Sequence, residues 1–389
     1  MRRVFGLETE YGFFCRVNGN RLPSRENVIR YVFEQAVPGA RNGNVFLENG
    51  GRFYLDSGFH PEYATPETDQ VGDLVAHDKA GERIVADLLL RARRLLREEG
   101  LTGSVLAFKN NTDTVGNSFG CHENYLARRD IALECLAAGL IPFLVTRQVF
   151  AGAGKVLQTI RGSQFCLSQR AQHITQEVSG GTTSSRAIIN TRDETLADAH
   201  RYRRLHLILG DSNMSEVATY LKVGTTALVI DMIEDGWLNG DYALHGSVSA
   251  LRTISRDPTL RATVKLKDGR LLTALEIQGV YLDRAIQYAQ SSGCDPERRI
   301  RRDCHAPPRR AVQRGDQGGS GRGEPKRVGA HDGGRRVVGG GAAQRGREVR
   351  HRGAQRDQRG RAPGDERGER VEHLRRQTAP GGELGPEAR

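Results

Sequence analysis

The sequence predicts an α+β fold in which a largely antiparallel sheet packs against helices, followed by a disordered C-terminal tail. Segments that alternate apolar and polar residues, as half-buried strands do, come in runs and do not alternate regularly with helical segments. The last part of the chain differs sharply in composition and lacks the apolar residues that a core needs. Residues 1–290 are therefore predicted to form one folded domain, and residues 291–389 a low-complexity tail rich in Arg and Gly.

The distribution of charge marks nearly the same boundary. The 389-residue chain has a net charge of +11, which by itself suggests a nucleic-acid partner. Residues 298–389, however, contain 24 of the 58 Lys and Arg residues, only 12 of the 47 Asp and Glu residues, and no Phe, Tyr or Trp. Residues 1–297 are left with a net charge of −1, so the predicted folded part is close to neutral.

The predicted elements follow from apolar periodicity and from turn signals such as Asn49–Gly51. Predicted strands are Arg3–Cys15, Asn44–Leu47, Arg52–Asp56, Ser104–Lys109, Cys121–Ala127, Gln164–Ser168, Arg186–Asn190 and Arg204–Leu209, with a hairpin over Ala262–Thr273. Predicted helices are Ser24–Ala36, Gln70–Glu99, Ile141–Phe150 with Pro142 in its first turn, Ser215–Ile233 and Ala274–Gln290. The segment His60–Glu67 is interpreted as a loop.

Several classes of protein are disfavoured. The six cysteines show no paired or metal-ligand spacing, which favours reduced thiols. No signal peptide or membrane-spanning stretch is visible, so we expect a cytoplasmic protein without a membrane partner. Gly152–Lys155 resembles a phosphate-binding loop only faintly, because Val156 stands where Ser or Thr is required.

Strand alternation places several polar residues on common faces. Arg52, Tyr54 and Asp56 share one face of their strand, and Glu8 and Glu10 share one face of the first strand. Carboxylate oxygens suit Mg²⁺, and Arg binds phosphate oxygens. The alternative is an ordinary solvated sheet face, and alternation alone does not decide between the two.

Other polar residues have a functional and a structural interpretation. Glu62 and Glu67 follow the Arg52–Asp56 strand, where acidic loops are either functional or simply solvated. A lone histidine such as His122 is more often structural than a ligand. If its segment is a strand, Cys121 and His122 point to opposite faces, which argues against a Cys/His catalytic pair.

Eight motifs taken together resemble the Pup ligase / Pup deamidase family, a branch of the glutamine-synthetase-like carboxylate–amine ligases. They lie at Gly6–Gly12, Asn49–Asp56, His60–Thr65, Phe108–Asp113, Gly120–Leu126, Ile189–Glu194, Tyr202–His206 and Gly210–Glu216. The resemblance covers about residues 1–290. Only a short segment separates Cys15 from Asn49, where the deamidase carries a long insertion, so the ligase branch is favoured and the deamidase remains the alternative.

The resemblance implies a reaction. ATP phosphorylates the side-chain carboxylate of the C-terminal glutamate of Pup, a small disordered modifier protein. A lysine of a target protein then attacks the acyl phosphate, and the isopeptide bond marks the target for the proteasome.

The resemblance also implies residue roles. It makes Glu8, Tyr54 and Glu62 ligands of Mg²⁺, with Glu10 as a further participant, Arg52 and Thr65 contacts of ATP, and Asp56 the base that deprotonates the lysine. His122 and His206 are weaker candidates for metal or phosphate ligands.

The resemblance ends near Gln290. Family members continue into a small domain with a tryptophan that contacts ATP, whereas the single tryptophan here, Trp237, lies within the main domain. The Arg-rich tail is either a natural disordered segment or the product of a reading-frame shift in a GC-rich gene, and translation of the other frames would distinguish these. Nucleic-acid binding is disfavoured because the tail has no aromatic residues for base stacking. A catalytically impaired family member whose basic tail binds polyanions is the second functional hypothesis.

Overall fold

The computed structural model describes residues 3–18, 29, 33–37, 44–56, 58–113, 116–160, 162–180, 186–191, 193 and 198–291. All of these belong to the first of the two units into which the chain divides, residues 1–314. Except for Ser291, the predicted tail lies outside the described residues, and so does most of the predicted helix Ser24–Ala36. The disorder of the tail and the domain boundary at residue 290 therefore stay predictions.

Fourteen strands and six helices cover most of the described chain. The strands are β1 (Phe5–Glu10), β2 (Gly12–Asn18), β3 (Asn44–Phe46), β4 (Arg52–Leu55), β5 (Pro61–Ala64), β6 (Thr102–Phe108), β7 (Cys121–Arg128), β8 (Lys155–Thr159), β9 (Gly162–Cys166), β10 (Gln176–Ser179), β11 (Ala187–Asn190), β12 (Tyr202–Leu207), β13 (Thr263–Lys265) and β14 (Leu271–Thr273). The helices are α1 (Val71–Glu98), α2 (Leu133–Thr146), α3 (Gln148–Ala151), α4 (Glu216–Glu234), α5 (Ser247–Ser255) and α6 (Ala274–Ser291).

An eight-stranded sheet organises the fold, in the order β10-β11-β12-β7-β1-β5-β4-β3. Every neighbouring pair in it is antiparallel except β10 and β11. The pairs β2-β6, β8-β9 and β13-β14 form separate two-stranded antiparallel sheets. The predicted α+β class with a largely antiparallel sheet is therefore confirmed.

Helices cover one face of the large sheet and create two apolar clusters. The larger cluster joins Leu7 and Tyr125 of the sheet to helices α2, α4 and α6, and the smaller joins Phe53 and Tyr63 to helix α1. Because the apolar side chains of β1, β4, β5 and β7 are buried against these helices, the alternate residues of the same strands form the other face. That second face is the polar one.

Close packing between α1 and the sheet depends on a glycine. A Cβ atom added at Gly81 would come within 2.3 Å of the ring of Tyr63 on β5. The glycine lets the helix backbone lie directly against the aromatic ring, which is itself 1% exposed. Helix α1 thus packs directly against the buried face of β5.

The most consequential correction concerns the segment predicted to be a loop. Residues Pro61–Ala64 form β5, which lies between β1 and β4 in the sheet. Proline is tolerated at the first residue of a strand, where no donor is missing from the ladder. This strand is what brings Glu62 opposite Glu10.

Other boundaries also differ from the prediction. The stretch Arg3–Cys15 was predicted to be one strand, but it divides at Tyr11 into β1 and β2, which belong to different sheets. Helix α2 begins at Leu133, so Pro142 lies inside the helix and not in its first turn. Burial of its apolar residues, including Leu136 and Leu140, outweighs the hydrogen bond lost at the proline. Strands β8 and β10 and helix α5 were not predicted.

Two smaller expectations can be compared with the structure. Among the described residues, no helix combines the length and apolar character needed to cross a lipid bilayer. The four described cysteines, Cys15, Cys121, Cys135 and Cys166, are free thiols, in agreement with the prediction.

Candidate active site

Carboxylates gather at the centre of the polar face of the sheet. Glu8 and Glu10 share this face of β1, as predicted, while Leu7 and Thr9 are buried on the opposite face. The antiparallel register places Glu62 of β5 directly opposite Glu10. Since residues opposite each other in a sheet have neighbouring side chains, three carboxylates from two strands lie together.

The strands on either side extend this cluster. Tyr54 of β4 lies opposite Glu62, so its phenol and the Glu62 carboxylate are neighbours on the same face. On the other side His122 of β7 lies opposite Glu8. A continuous row of oxygen and nitrogen ligands thus crosses β4, β5, β1 and β7.

Distances show how closely His122 approaches the acids. Its Nδ1 atom lies 3.6 Å from Glu8 Oε2 and 4.0 Å from Glu62 Oε1, and its Nε2 atom lies 3.7 Å from Glu10 Oε1. A Cβ atom at Gly120 would come within 2.1 Å of His122 Nε2, so this position requires glycine for the ring to remain in place. The imidazole is held among three carboxylates.

Strand β12 completes one end of the cluster. Arg204 Nη2 donates to Glu8 Oε1 at 2.9 Å, and Arg204 Nε donates to Asn124 Oδ1 at 2.7 Å. His206 Nδ1 lies 2.8 Å from Asn124 Oδ1 and 3.9 Å from Glu8 Oε2. The rings of His122 and His206 meet edge to face, with their centroids 4.9 Å apart.

Asp56 lies at the opposite end, in a tight turn that returns the chain to β5. Its Oδ1 atom accepts a hydrogen bond of 2.6 Å from the backbone N–H of His60, and its Oδ2 atom lies 3.4 Å from His60 Nδ1. His60 Nδ1 also lies 3.8 Å from Glu10 Oε2. His60 therefore bridges Asp56 to the carboxylate cluster.

The two predicted ATP contacts lie at the margin of the cluster. The Arg52 guanidinium stacks over the Tyr54 ring at 4.3 Å and donates to Asn44 Oδ1 at 2.8 Å. The Thr65 hydroxyl, just after β5, accepts a hydrogen bond of 3.1 Å from the Leu7 N–H. Arg52 is thus adjacent to Tyr54, a predicted metal ligand, whereas Thr65 links the end of β5 to β1 by a hydrogen bond.

The clustered acids have pKa values shifted in opposite directions. Burial alone would raise the pKa of Glu8, but the adjacent imidazoles of His122 and His206 and the Arg204 guanidinium hold it at about 2. Burial and the nearby charges of Glu8 and Glu10 raise the pKa of Glu62 well above its usual value. The protonated form of Glu62 is therefore favoured relative to that of an isolated glutamate.

The surroundings of His206 and Tyr54 keep these two side chains in their neutral forms. Burial, together with the neighbouring His122, lowers the pKa of His206 to about 3, so its imidazole is neutral near pH 7. Burial and the charges of Glu62 and Glu8 raise the pKa of Tyr54, so the phenol keeps its proton. Neutral imidazole is the form of histidine that binds metals.

These residues fit a bound divalent cation. Glu8, His122 and His206 form one group of possible ligands, Glu10, Glu62 and His122 a second, and Glu10, Asp56 and His60 a third. Hard carboxylate oxygens dominate the set, and such oxygens suit Mg²⁺. Burial is the first cause of the raised pKa of Glu62, and the neighbouring carboxylates of Glu8 and Glu10 add to it.

The sequence of this chain can be compared with known families. The model of the family described as Pup-ligase protein matches residues 3–306. The chain belongs to the Pup-ligase protein family. The resemblance deduced from the motifs is therefore confirmed.

Two curated relatives of this Pup-ligase family member are Pup–protein ligases, from Actinosynnema mirum and Saccharomonospora viridis. Each is 56% identical over 295 residues, which are 76% of this chain and 65% of the relative. The chain thus spans slightly less than two thirds of the length of these relatives.

Solved structures agree with the fold. The ligase PafA, in the crystal structure of its complex with the prokaryotic ubiquitin-like protein Pup, is 42% identical with a TM-score of 0.68, covering 75% of this chain and 58% of that one. PafA in complex with ADP is also 42% identical, with a TM-score of 0.60, covering 71% and 60%.

The site of this Pup-ligase family member contains residues that sequence reasoning did not assign. His60 was quoted in a motif but not proposed as a site residue, although its position four residues after Asp56 across a tight turn is a usable signal. Arg204 was left without a role, although alternation along β12 puts it on the same face as His206. Asn124 was missed in the same way on β7.

We expect Mg²⁺ to stabilise this Pup-ligase family member through Glu62. At a concentration about 100 times its Kd, the ion should add about 2.7 kcal/mol to the free energy of unfolding. Glu62→Gln should lose most of this increment because one buried ligand of the cluster is removed. Thermal unfolding with and without MgCl₂ measures the effect.

The control for this experiment is Glu67→Gln, which removes an exposed carboxylate close in sequence. This variant should keep the full Mg²⁺-dependent increase in the free energy of unfolding. An increment that is equal in wild type and Glu62→Gln would show that the ion binds elsewhere.

Proposed function

We propose that this chain is an ATP-dependent carboxylate–amine ligase that joins the side-chain carboxylate of the C-terminal glutamate of Pup to lysine amines of target proteins. The observation that carries the proposal is the cluster of Glu8, Glu10, Glu62 and His122 on one sheet face, with Asp56 at its edge. Membership of the Pup-ligase protein family supports it. So do the names of the curated relatives, which are ligases and not deamidases.

In this proposal Glu8, Glu62 and Tyr54 hold Mg²⁺, and Glu10 and His122 complete its surroundings. When bound, the ion neutralises phosphate charge and so favours phosphoryl transfer from ATP to the glutamate carboxylate. Arg204 pairs with Glu8 at 2.9 Å and thereby fixes the orientation of that carboxylate. His206 stays neutral because its pKa is lowered to about 3, so it adds a ligand nitrogen without adding positive charge.

The second half of the proposed reaction needs a base. A lysine ammonium must lose a proton before its nitrogen can attack the acyl phosphate. Asp56 lies at the edge of the cluster with its Oδ1 fixed by the His60 N–H at 2.6 Å, so its carboxylate has a defined direction. We assign proton acceptance to Asp56 and phosphate contacts to Arg52 and Thr65.

Conjugation and nucleotide turnover test the proposal directly. The full chain, incubated with Pup, ATP, MgCl₂ and a lysine-containing protein, should give a covalent product whose mass is the sum of the two proteins minus one water. ADP release should accompany it and should stop when EDTA is added. Hydrolysis of Pup–protein bonds without conjugation would instead favour a depupylating or deamidating member of the family.

The proposed cellular setting follows from this activity. Its partners are Pup and lysine-bearing targets, the products enter the proteasome pathway, and the compartment is the cytoplasm.

A second candidate function rests on the charge of the C-terminal part. Residues 298–389 carry a net charge of +12, which favours binding to polyanions. In that case the chain would bind heparin or single-stranded DNA with an affinity that falls steeply with salt, and conjugation would be weak or absent. Measuring both activities on one preparation distinguishes the two functions.

A further inference from the structure

A cavity of about 400 Å³ lies beside the turn that follows Asp56. Its described lining comes from the turn itself, from the segment before β7 and from the residue before β11. These residues are Ile29, Gly58, Phe59, His60, Gly116, Asn117, Ser118 and Arg186.

The cavity adjoins the carboxylate cluster through His60. This lining residue lies 3.4 Å from Asp56 Oδ2 and 3.8 Å from Glu10 Oε2, measured from its Nδ1 atom. A molecule that fills the cavity would therefore contact His60, which in turn contacts the group assigned as base and a proposed metal ligand. The volume is in the range of sites for small molecules or for one residue of a peptide.

The described lining of the cavity differs in charge from the cluster. Among its described lining residues, Arg186 is the only Lys or Arg, and none is Asp or Glu. A second guanidinium lies behind this lining, because the buried Arg170 donates a hydrogen bond of 3.0 Å to Oγ of the lining residue Ser118. One end of this region therefore suits an anion, while the cluster suits a cation.

We propose that this cavity binds the α-carboxylate of the substrate glutamate and that Arg186 is the residue that pairs with it; this inference rests on the proposed ligase function. A C-terminal glutamate carries two carboxylates separated by three carbon atoms. When the side-chain carboxylate lies at the metal cluster, the α-carboxylate needs a nearby site with positive charge. A planar guanidinium can bind a carboxylate through two parallel hydrogen bonds.

The same charge argues against the attacking lysine as the occupant of the cavity. An ammonium group there would meet the like charge of Arg186, whereas the side near Asp56 and Glu10 offers carboxylates. The two substrates would thus approach the reacting carboxylate from differently charged sides. This arrangement would also explain a requirement for a chain-terminal glutamate over an internal one.

The test compares two fluorescent peptides of the Pup C-terminal sequence, one with a free α-carboxylate and one with a C-terminal amide. Anisotropy titration of the full wild-type chain should show about 10- to 100-fold tighter binding of the acid, as expected for a hydrogen-bonded charge pair. Arg186→Gln should bind the two peptides equally, and Arg186→Lys should restore part of the difference. Arg261→Gln, at an exposed arginine elsewhere, should behave as wild type.

Further outcomes separate this inference from its alternatives. If wild type binds acid and amide equally, or if Arg186→Gln still prefers the acid, the inference is wrong. If Arg186→Gln instead weakens ADP binding and leaves the acid preference intact, the arginine serves a phosphate and the inference is also wrong. The titration needs no turnover, so absence of ATP-dependent conjugation would contradict the proposed function without deciding the role of Arg186.

Discussion

Asp56→Asn is expected to lower the rate of Pup conjugation by about 10²- to 10⁴-fold, the usual contribution of a general base. Affinity for ATP should stay nearly unchanged, because Asp56 lies at the edge of the cluster and Asn preserves its shape. The amide oxygen can still accept the 2.6 Å hydrogen bond from the His60 N–H, so the turn into β5 should persist. What the amide loses is the ability to take a proton from the attacking lysine.

The measurement separates the two halves of the reaction. Single-turnover conjugation of Pup to a lysine-containing protein reports the rate of the step that needs the base. Binding of a fluorescent nucleotide reports the affinity of the site for ATP. Asp87→Asn, at an exposed aspartate of α1, is the matched control and should conjugate at the wild-type rate. Conjugation by Asp56→Asn at the wild-type rate would remove Asp56 from the mechanism.

Alternation along single strands predicted part of this site correctly. It put Glu8 and Glu10 on one face of β1, and Tyr54 on the face of β4 that meets Glu62. Such inferences need only the two-residue period of a strand, which is a local property. The sequence could not show which strands are neighbours, because pairing depends on contacts between distant segments.

The segment around Pro61 illustrates this limit. Its local signals, a proline at each end and two acids, indicate a loop, yet the segment is a strand between β1 and β4. Burial of Tyr63 against Gly81 of α1 and pairing on both edges decide the outcome. The proposed role of Glu62 therefore came from family resemblance and not from local pattern.

Helix α2 shows the same effect in the core. Pro142 suggested a helix start, whereas the helix begins nine residues earlier, at Leu133. The helix is almost continuously apolar after Leu136, and its packing against α4, α5 and α6 provides the stabilisation that the proline removes. Local propensity was outweighed by tertiary contacts, as is common for buried helices.

A buried ion pair behind the site leads to the second large prediction. Glu123 lies on β7 between His122 and Asn124 but faces the core, where it is 0% exposed. Arg147, at the end of α2, binds it through both terminal nitrogens, with Nη1 at 2.8 Å from Glu123 Oε2. The Tyr125 hydroxyl donates to the same oxygen at 2.8 Å. The pair therefore connects the strand that carries His122 to the helical layer.

Arg147→Met is expected to lower the free energy of unfolding by about 3–5 kcal/mol, because it leaves the buried Glu123 charge without its partner. In the wild type, burial alone would raise the pKa of Glu123, but Arg147 more than compensates and lowers it. This pairing stabilises the fold above the unfolded-state pKa of Glu123 and is lost as the pH falls toward the lower folded-state value. In Arg147→Met, burial without the guanidinium should raise that pKa, so stability should instead fall as the pH rises.

Urea unfolding of the full chain at several pH values measures both the loss and the reversed pH dependence. Arg128→Met is the control, since Arg128 pairs with Asp130 at the surface and such pairs contribute about 0–1 kcal/mol. Adding Glu123→Gln to Arg147→Met should recover much of the loss, because the carboxylate charge that lost its guanidinium is then removed as well. If Arg147→Met lowers the free energy of unfolding no more than Arg128→Met does, the Glu123–Arg147 pair does not hold β7 in place. The geometry of His122 would then have to come from Gly120 and the neighbouring strands alone.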